Sequence, residues 1–338
     1  MSGIKRDFKQ LILAVSVFLL FVVTAVLFQN KGQSFNPAAT GRTELEGALF
    51  FWRTAEQELL IADIQTGLLR RVHHLEHAPA GVVPTPGGVS VFVFYSDTGI
   101  IDVYSAETGE FQRSNRTSLE KITSLSFSPD GSRVYITGSV KGREGAALIE
   151  YSHSLLELSN PREESIDPGI DSFTPDRRGT RLYSNGRDGL VTIFPQTLTV
   201  IDQDQKSAVL LGTKPVFDND FRLLWTTVKS EDGRYIPAAV EPNSGVLVWQ
   251  GSHTVQKSVT PVSGGWITYS GDSQLFQIDP DKKSFGRTIP LDSAADFLGS
   301  INQNSFWAGA VSGRLTKVVD GKAALTLYLQ NTDGAVMK

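Results

Sequence analysis

The 338-residue chain contains no cysteine. Disulfides, a thiolate nucleophile, cysteine-ligated zinc and covalently attached haem are therefore excluded, while an oxidising compartment stays open to it. An excess of basic charge is missing too. Thirty-two Lys and Arg stand against 36 Asp and Glu, a net charge of −4, so no basic field offsets phosphate repulsion and nucleic acid is not an expected partner. Beyond residue 28 no apolar run is long enough to cross a bilayer, and no apolar stripe recurs at helical spacing. Nothing resembles the G-x-S-x-G nucleophile turn. The glycines of Gly186-Arg187-Asp188-Gly189 read as turn glycines, because no helix N-terminus follows to hold an anion.

What is present begins with the N-terminus. Leu11 to Phe28 is apolar or small except for Ser16 and Thr24, and as a helix it would span roughly 27 Å, enough for a hydrocarbon core. Lys5, Arg6 and Lys9 precede it against the single acidic Asp7, which by the positive-inside rule keeps residues 1–10 in the cytoplasm and sends the remainder across. A cleaved signal peptide would carry small residues directly after a shorter core, whereas Phe28-Gln29-Asn30 follow here. The expectation is one uncleaved transmembrane anchor over 11–28, then a polar linker over 29–46.

From Ala48 the texture becomes short apolar or alternating runs punctuated by Gly, Pro, Asp and Asn, which is the pattern of an all-β domain. A strand–turn–strand element recurs seven times, at residues 61–72, 102–113, 147–158, 191–202, 238–249, 275–286 and 315–326. Tight turns such as Thr85-Pro86-Gly87-Gly88, Ser128-Pro129-Asp130-Gly131 and Thr174-Pro175-Asp176 precede most copies in phase. The two registers together describe a four-stranded unit, a to d, with Pro-Asp-Gly turns joining a to b and Thr-Gly turns joining c to d. Seven such units, each too small to bury both faces alone, predict a seven-bladed β-propeller over 47–330, followed by a C-terminal tail at 331–338. The first blade shows no clear a strand. The N-terminal segment is expected to meet the last blade, with the strand that completes the ring left open.

Phe127-Ser128-Pro129-Asp130-Gly131-Ser132-Arg133-Val134-Tyr135-Ile136, and a weaker copy at Phe173-Thr174-Pro175-Asp176 with Arg181-Leu182-Tyr183, resemble the blade motif of WD40-like propellers of the bacterial YVTN and TolB-like kinds. Neither the Gly-His nor the Trp-Asp dipeptide of true WD40 repeats occurs. The resemblance implies a bacterial protein, and with the anchor it places the propeller in the periplasm, tethered to the inner membrane.

Candidate sites divide into several groups. His73, His74 and His77 form an HHxxH cluster, but consecutive residues of a strand point to opposite faces, so a solvated edge is preferred to a metal site. The five tryptophans, Trp52, Trp225, Trp249, Trp266 and Trp307, are irregularly spaced and read as packing between blades. Asn115-Arg116-Thr117 matches a glycosylation sequon that would matter only in a eukaryotic lumen. The b–c connections carry Lys141, Arg143, Glu144, Lys229, Asp232 and Arg234, with Arg187, Asp188 and Arg314 in equivalent loops. These are the expected partner-binding rim, although loop charge often serves solubility alone. Asp171 and Lys214 are candidates to line the central channel.

No catalytic group, metal or cofactor is assigned. The function expected is a protein-binding scaffold or accessory subunit of an envelope complex, whose tether raises its effective concentration at the membrane. The alternative is an enzyme or cofactor binder of the lactonase or quinone-dependent dehydrogenase kind, with its site in the channel.

Overall fold

The computed structural model describes residues 48–337 apart from 64–65, 144, 155, 167–169, 171, 187–188, 203–212, 219, 256–258, 263–265, 296, 303–304, 311–313 and 329–333. The anchor at 11–28 and the linker at 29–46 lie outside the described residues. Among those described there is no helix, and hence none long and apolar enough to cross a membrane. The strands form seven four-stranded antiparallel sheets, the seven-bladed propeller that the repeat predicts.

Six blades take their four strands consecutively along the chain. Blade two, for example, runs Pro79–Pro84, Ser90–Tyr95, Ile100–Ser105 and Phe111–Arg116. The first strands of neighbouring blades touch one another around the axis, as Pro79–Pro84 does with Leu119–Phe127 of blade three. Blade one is built differently. Its strands Ala48–Arg53, Glu58–Asp63 and Leu69–His74 are joined on the inner side by Gly334–Met337, which pairs antiparallel with Leu49 to Trp52. Gly334–Met337, read from sequence as part of a tail at 331–338, thus supplies the missing a strand and closes the ring. Asp333-Gly334 marks a turn before it, but four residues outside the repeat carry no period that assigns them to blade one.

The second and third strands read as unbroken apolar runs because both of their faces are buried. In Ser90–Tyr95 every side chain is enclosed. Val91, Val93 and Tyr95 pack toward blade one, while Phe92 and Phe94 pack toward blade three. Ala48–Arg53 does the same, with Phe50 in the cluster shared with blade two and Leu49 and Phe51 in the cluster shared with blade seven. Seven such clusters occur, one per interface around the ring. Each fully buried Leu, Val or Phe contributes about 1.5–3 kcal/mol, so stability resides between blades rather than within them. Trp225 and Trp307 are fully buried in two of these interfaces. Trp249 packs against Trp225 with ring centroids 5.5 Å apart and planes tilted by 55°.

The Pro-Asp-Gly turn has a full physical account in blade three. Gly131 adopts φ 72° and its N–H donates to the Ser128 carbonyl at 2.9 Å. The Asp130 carboxylate accepts from the Ser128 hydroxyl at 2.6 Å and from the Ser132 N–H and hydroxyl at 3.1 and 2.8 Å. Those hydrogen bonds, the one from Ser128 foremost, hold its pKa below the usual carboxylate range.

Candidate docking face

Antiparallel order puts the b–c and d–a connections on one face of the ring and the a–b and c–d turns on the other. The charged rim read from sequence belongs to the first face. Lys141 and Lys229 are exposed there. Arg143 donates to Glu163 of the same blade at 2.6 Å. Arg234 pairs with Asp232, whose carboxylate that guanidinium and the Ser230 hydroxyl hold far below the usual range. Arg314 faces Asp292, in the connection from blade six to blade seven, at 3.8 Å. Glu144, Arg187 and Asp188 lie outside the described residues, as does Asp171. Lys214 precedes the first strand of blade five, Val216–Phe217, and its ammonium donates to the Ser126 hydroxyl, on the first strand of blade three, at 3.4 Å.

The three histidines of blade one take three separate partners. His73 Nε2 meets the Gly109 carbonyl and its ring lies 5.2 Å from that of Tyr104. His74 Nδ1 stands 3.2 Å from Glu58, and His77 Nδ1 3.6 Å from Asp97. Burial pushes the His73 pKa down from 6.5, against the hydrogen bond to the Gly109 carbonyl. Together they line a groove of about 310 Å³ with Asp102, Tyr104 and Phe111. Asp102 is already occupied, accepting from the Tyr95 and Ser114 hydroxyls. Among the described residues no three His, Asp or Glu side chains come together as a metal site.

The turn face is different in character. Eight large apolar side chains are exposed among the described residues. Leu68, Val89, Phe111, Phe221 and Val246 stand in or directly after a–b and c–d turns, and Val72, Val248 and Leu325 lie on or beside outer strands. None belongs to a b–c or d–a connection.

A cavity of about 320 Å³ opens on this face between blades four and five. Arg177, Arg178 and Arg181 reach it from the a–b turn of blade four, Phe221 and Arg222 from that of blade five, with Tyr183 and Phe217 behind. Arg181 donates to the Asn243 side-chain carbonyl, and its guanidinium lies 5.6 Å from the centre of the Phe194 ring. Burial raises the Tyr183 pKa, although the hydrogen bond from Arg181 pulls the other way. Arg222 is held by Asp281 of blade six and by Asp220 at 3.1 Å. Sequence reasoning missed this group. Its residues come from turns some 40 positions apart, and only the stacking of blades makes them neighbours.

No family model and no curated protein matches the chain. Solved structures do resemble it. The dihydro-heme d1 dehydrogenase NirN, determined in complex with DHE, is 15% identical with a TM-score of 0.59; the match covers 86% of this chain and 65% of that one. Hydrazine synthase of Kuenenia stuttgartiensis is 12% identical, TM-score 0.62, over 85% of this chain and 99% of that one. A functionally unknown protein from Desulfotomaculum acetoxidans is 11% identical, TM-score 0.65, over 84% and 98%. At these identities the likeness is one of fold, and it makes the chain a β-propeller with propeller neighbours.

Proposed function

We propose that this propeller is a protein-binding module, tethered outside the bacterial inner membrane by the 11–28 segment, that presents its a–b/c–d turn face to a partner in the envelope. The carrying observation is the distribution of exposed apolar side chains. Leu68 is 60% exposed, Val89 70%, Phe111 55% and Val246 50%. Five of the eight exposed large apolar side chains among the described residues stand at turns of this face and none in a connection of the opposite one, the asymmetry that a partner-covered face would show. On the opposite rim, Arg143, Arg234 and Arg314 each have a carboxylate of their own chain, which leaves them less to offer a partner. Exposed pairs of this kind contribute little beyond solubility.

Crosslinking and pull-down from native membranes tests the reading with two variants of the full chain. One carries Leu68→Asp, Val89→Asp and Val246→Asp; the other carries Lys141→Ala, Arg143→Ala, Lys229→Ala and Arg234→Ala. A stoichiometric partner should be lost from the first and kept by the second. Loss from the second alone would move the interface to the b–c rim. Recovery of the protein without any partner would turn attention to the channel and to the lactonase-like or quinone-dependent reading.

A further inference from the structure

Resting on that turn-face reading, we propose that the cavity between blades four and five binds an acidic peptide segment of the partner, one in which carboxylates neighbour an aromatic or aliphatic side chain. Charge is the first ground. Four arginines line the cavity; Arg222 is already neutralised by Asp218, Asp220 and Asp281, which leaves Arg177, Arg178 and Arg181 against one lining carboxylate, Asp176. That carboxylate is already engaged by the Thr180 N–H and hydroxyl, each at 2.7 Å. Arg177 and Arg178 are exposed and have no carboxylate partner among the described residues. Guanidiniums in that state recognise carboxylates through paired, directional hydrogen bonds.

The second ground is apolar. Phe221 and Phe217 form one wall, with ring centroids 5.2 Å apart, and Arg177 lies 6.0 Å from the Phe221 centroid. A bare phosphate would use the arginines and leave these rings idle; a peptide carrying both chemistries uses both.

The third ground is the backbone of Phe221. Its N–H donates to the Asp218 carbonyl at 3.0 Å, closing the a–b turn. Gly88, Gly131 and Gly179 close the corresponding turns of blades two, three and four with the same bond. All three glycines have φ between 64° and 72°, and Phe221 has 57°. A bulky side chain thus occupies a left-handed slot that suits glycine. Leu198, at φ 55°, is 3% exposed, so core packing accounts for it. Phe221 is 40% exposed. Gln57, Asn160, Lys283 and Asp320 also hold this region at exposed positions, but Phe221 alone among these exposed residues is aromatic and lines a cavity, which is consistent with use of its ring.

The test is fluorescence anisotropy on the full-length protein in detergent, with a fluorescein-labelled peptide of glutamate, phenylalanine and glycine. Replacing its glutamates by glutamine, or its phenylalanines by alanine, should weaken binding roughly tenfold or more. Arg177→Glu with Arg178→Glu should do the same, as should Phe221→Gly, with circular dichroism unchanged in both. Absence of binding, indifference to the arginine reversal, or displacement by inorganic phosphate at concentrations matching the peptide would each overturn the proposal, the last by revealing a free-anion site. Failure here is separable from failure of the turn-face reading. A native partner lost from the Leu68, Val89 and Val246 variant but kept by the arginine reversal keeps the face and removes the cavity.

Discussion

At Phe221 two opposing terms nearly cancel, which makes the residue informative. Holding an L side chain in the left-handed region costs about 1–2 kcal/mol. Against this, the ring packs on Phe217 and buries part of its surface, contributing about 1–2 kcal/mol. Phe221→Gly relieves the first, loses the second and adds about 0.5–1 kcal/mol of backbone entropy cost. The net change should therefore stay below about 2 kcal/mol, a shift of a few degrees or less in melting temperature. A Phe that held the interface together would cost about 3–5 kcal/mol on truncation. Calorimetry of the variant decides between these. A loss of that larger size would make Phe221 a packing residue and take away the third ground for the cavity. The turn itself was legible, since Asp218 and Asp220 announce a tight reversal. That its closing residue stands where blades two, three and four have glycine is a matter of hydrogen-bond register, which the differing turn sequences do not display.

Among the elements, the strands of blade three show how a charge is held inside this fold. Glu150, 3% exposed, sits on Ala146–Ser154 between two neighbours. Arg133 pairs with it from Arg133–Val140, and Arg162 from Glu157–Ile166 at 2.6 Å. Arg162 also donates to the Gln196 carbonyl at 2.6 Å, in the c–d turn of blade four. The carboxylate therefore orients an arginine that fastens one blade to the next. Glu150→Ala leaves two half-buried guanidiniums without their counter-charge, and should destabilise the protein by about 3 kcal/mol, read from the denaturant midpoint at unchanged m-value. Glu150→Gln keeps the side-chain shape and one acceptor oxygen, enough for one of the two arginines, and should lose somewhat less. Equal losses would mean that the site needs the charge rather than the hydrogen bonds. Strand positions were legible at this scale, because Pro-Asp-Gly and Thr-Gly turns have conformational requirements that few sequences meet. The carboxylate was not, since a single Glu within an apolar run discloses neither its burial nor its partners on adjoining strands.

Across the whole molecule, seven similar units become one body only if the last is joined to the first. That junction is Gly334–Met337, which pairs with Ala48–Arg53 and touches the first strands of both neighbouring blades, Phe297–Asn302 and Pro79–Pro84. The seven-fold period was readable because it repeats, whereas the closure occurs once and joins segments almost 290 residues apart, so no periodicity could reveal it. Its removal has consequences beyond the lost ladder bonds. Deleting residues 331–338 leaves Ala48–Arg53 as an open strand edge whose Leu49, Phe50 and Phe51 are buried in the intact ring, and such an edge is a template for pairing with another chain. It also turns a ring, in which every blade has two neighbours, into a stack with two ends, where nearest-neighbour stability falls and cooperativity weakens. The truncated chain should melt at lower temperature over a broader range, and size-exclusion chromatography should show dimers and larger species absent from the intact protein. Restoring the eight residues as a separate peptide should bring back part of the melting temperature in proportion to its concentration. If truncation left both the transition and the monomer unchanged, the closing strand would be an ornament of blade one, and the integrity of the ring would rest on the apolar clusters between blades alone.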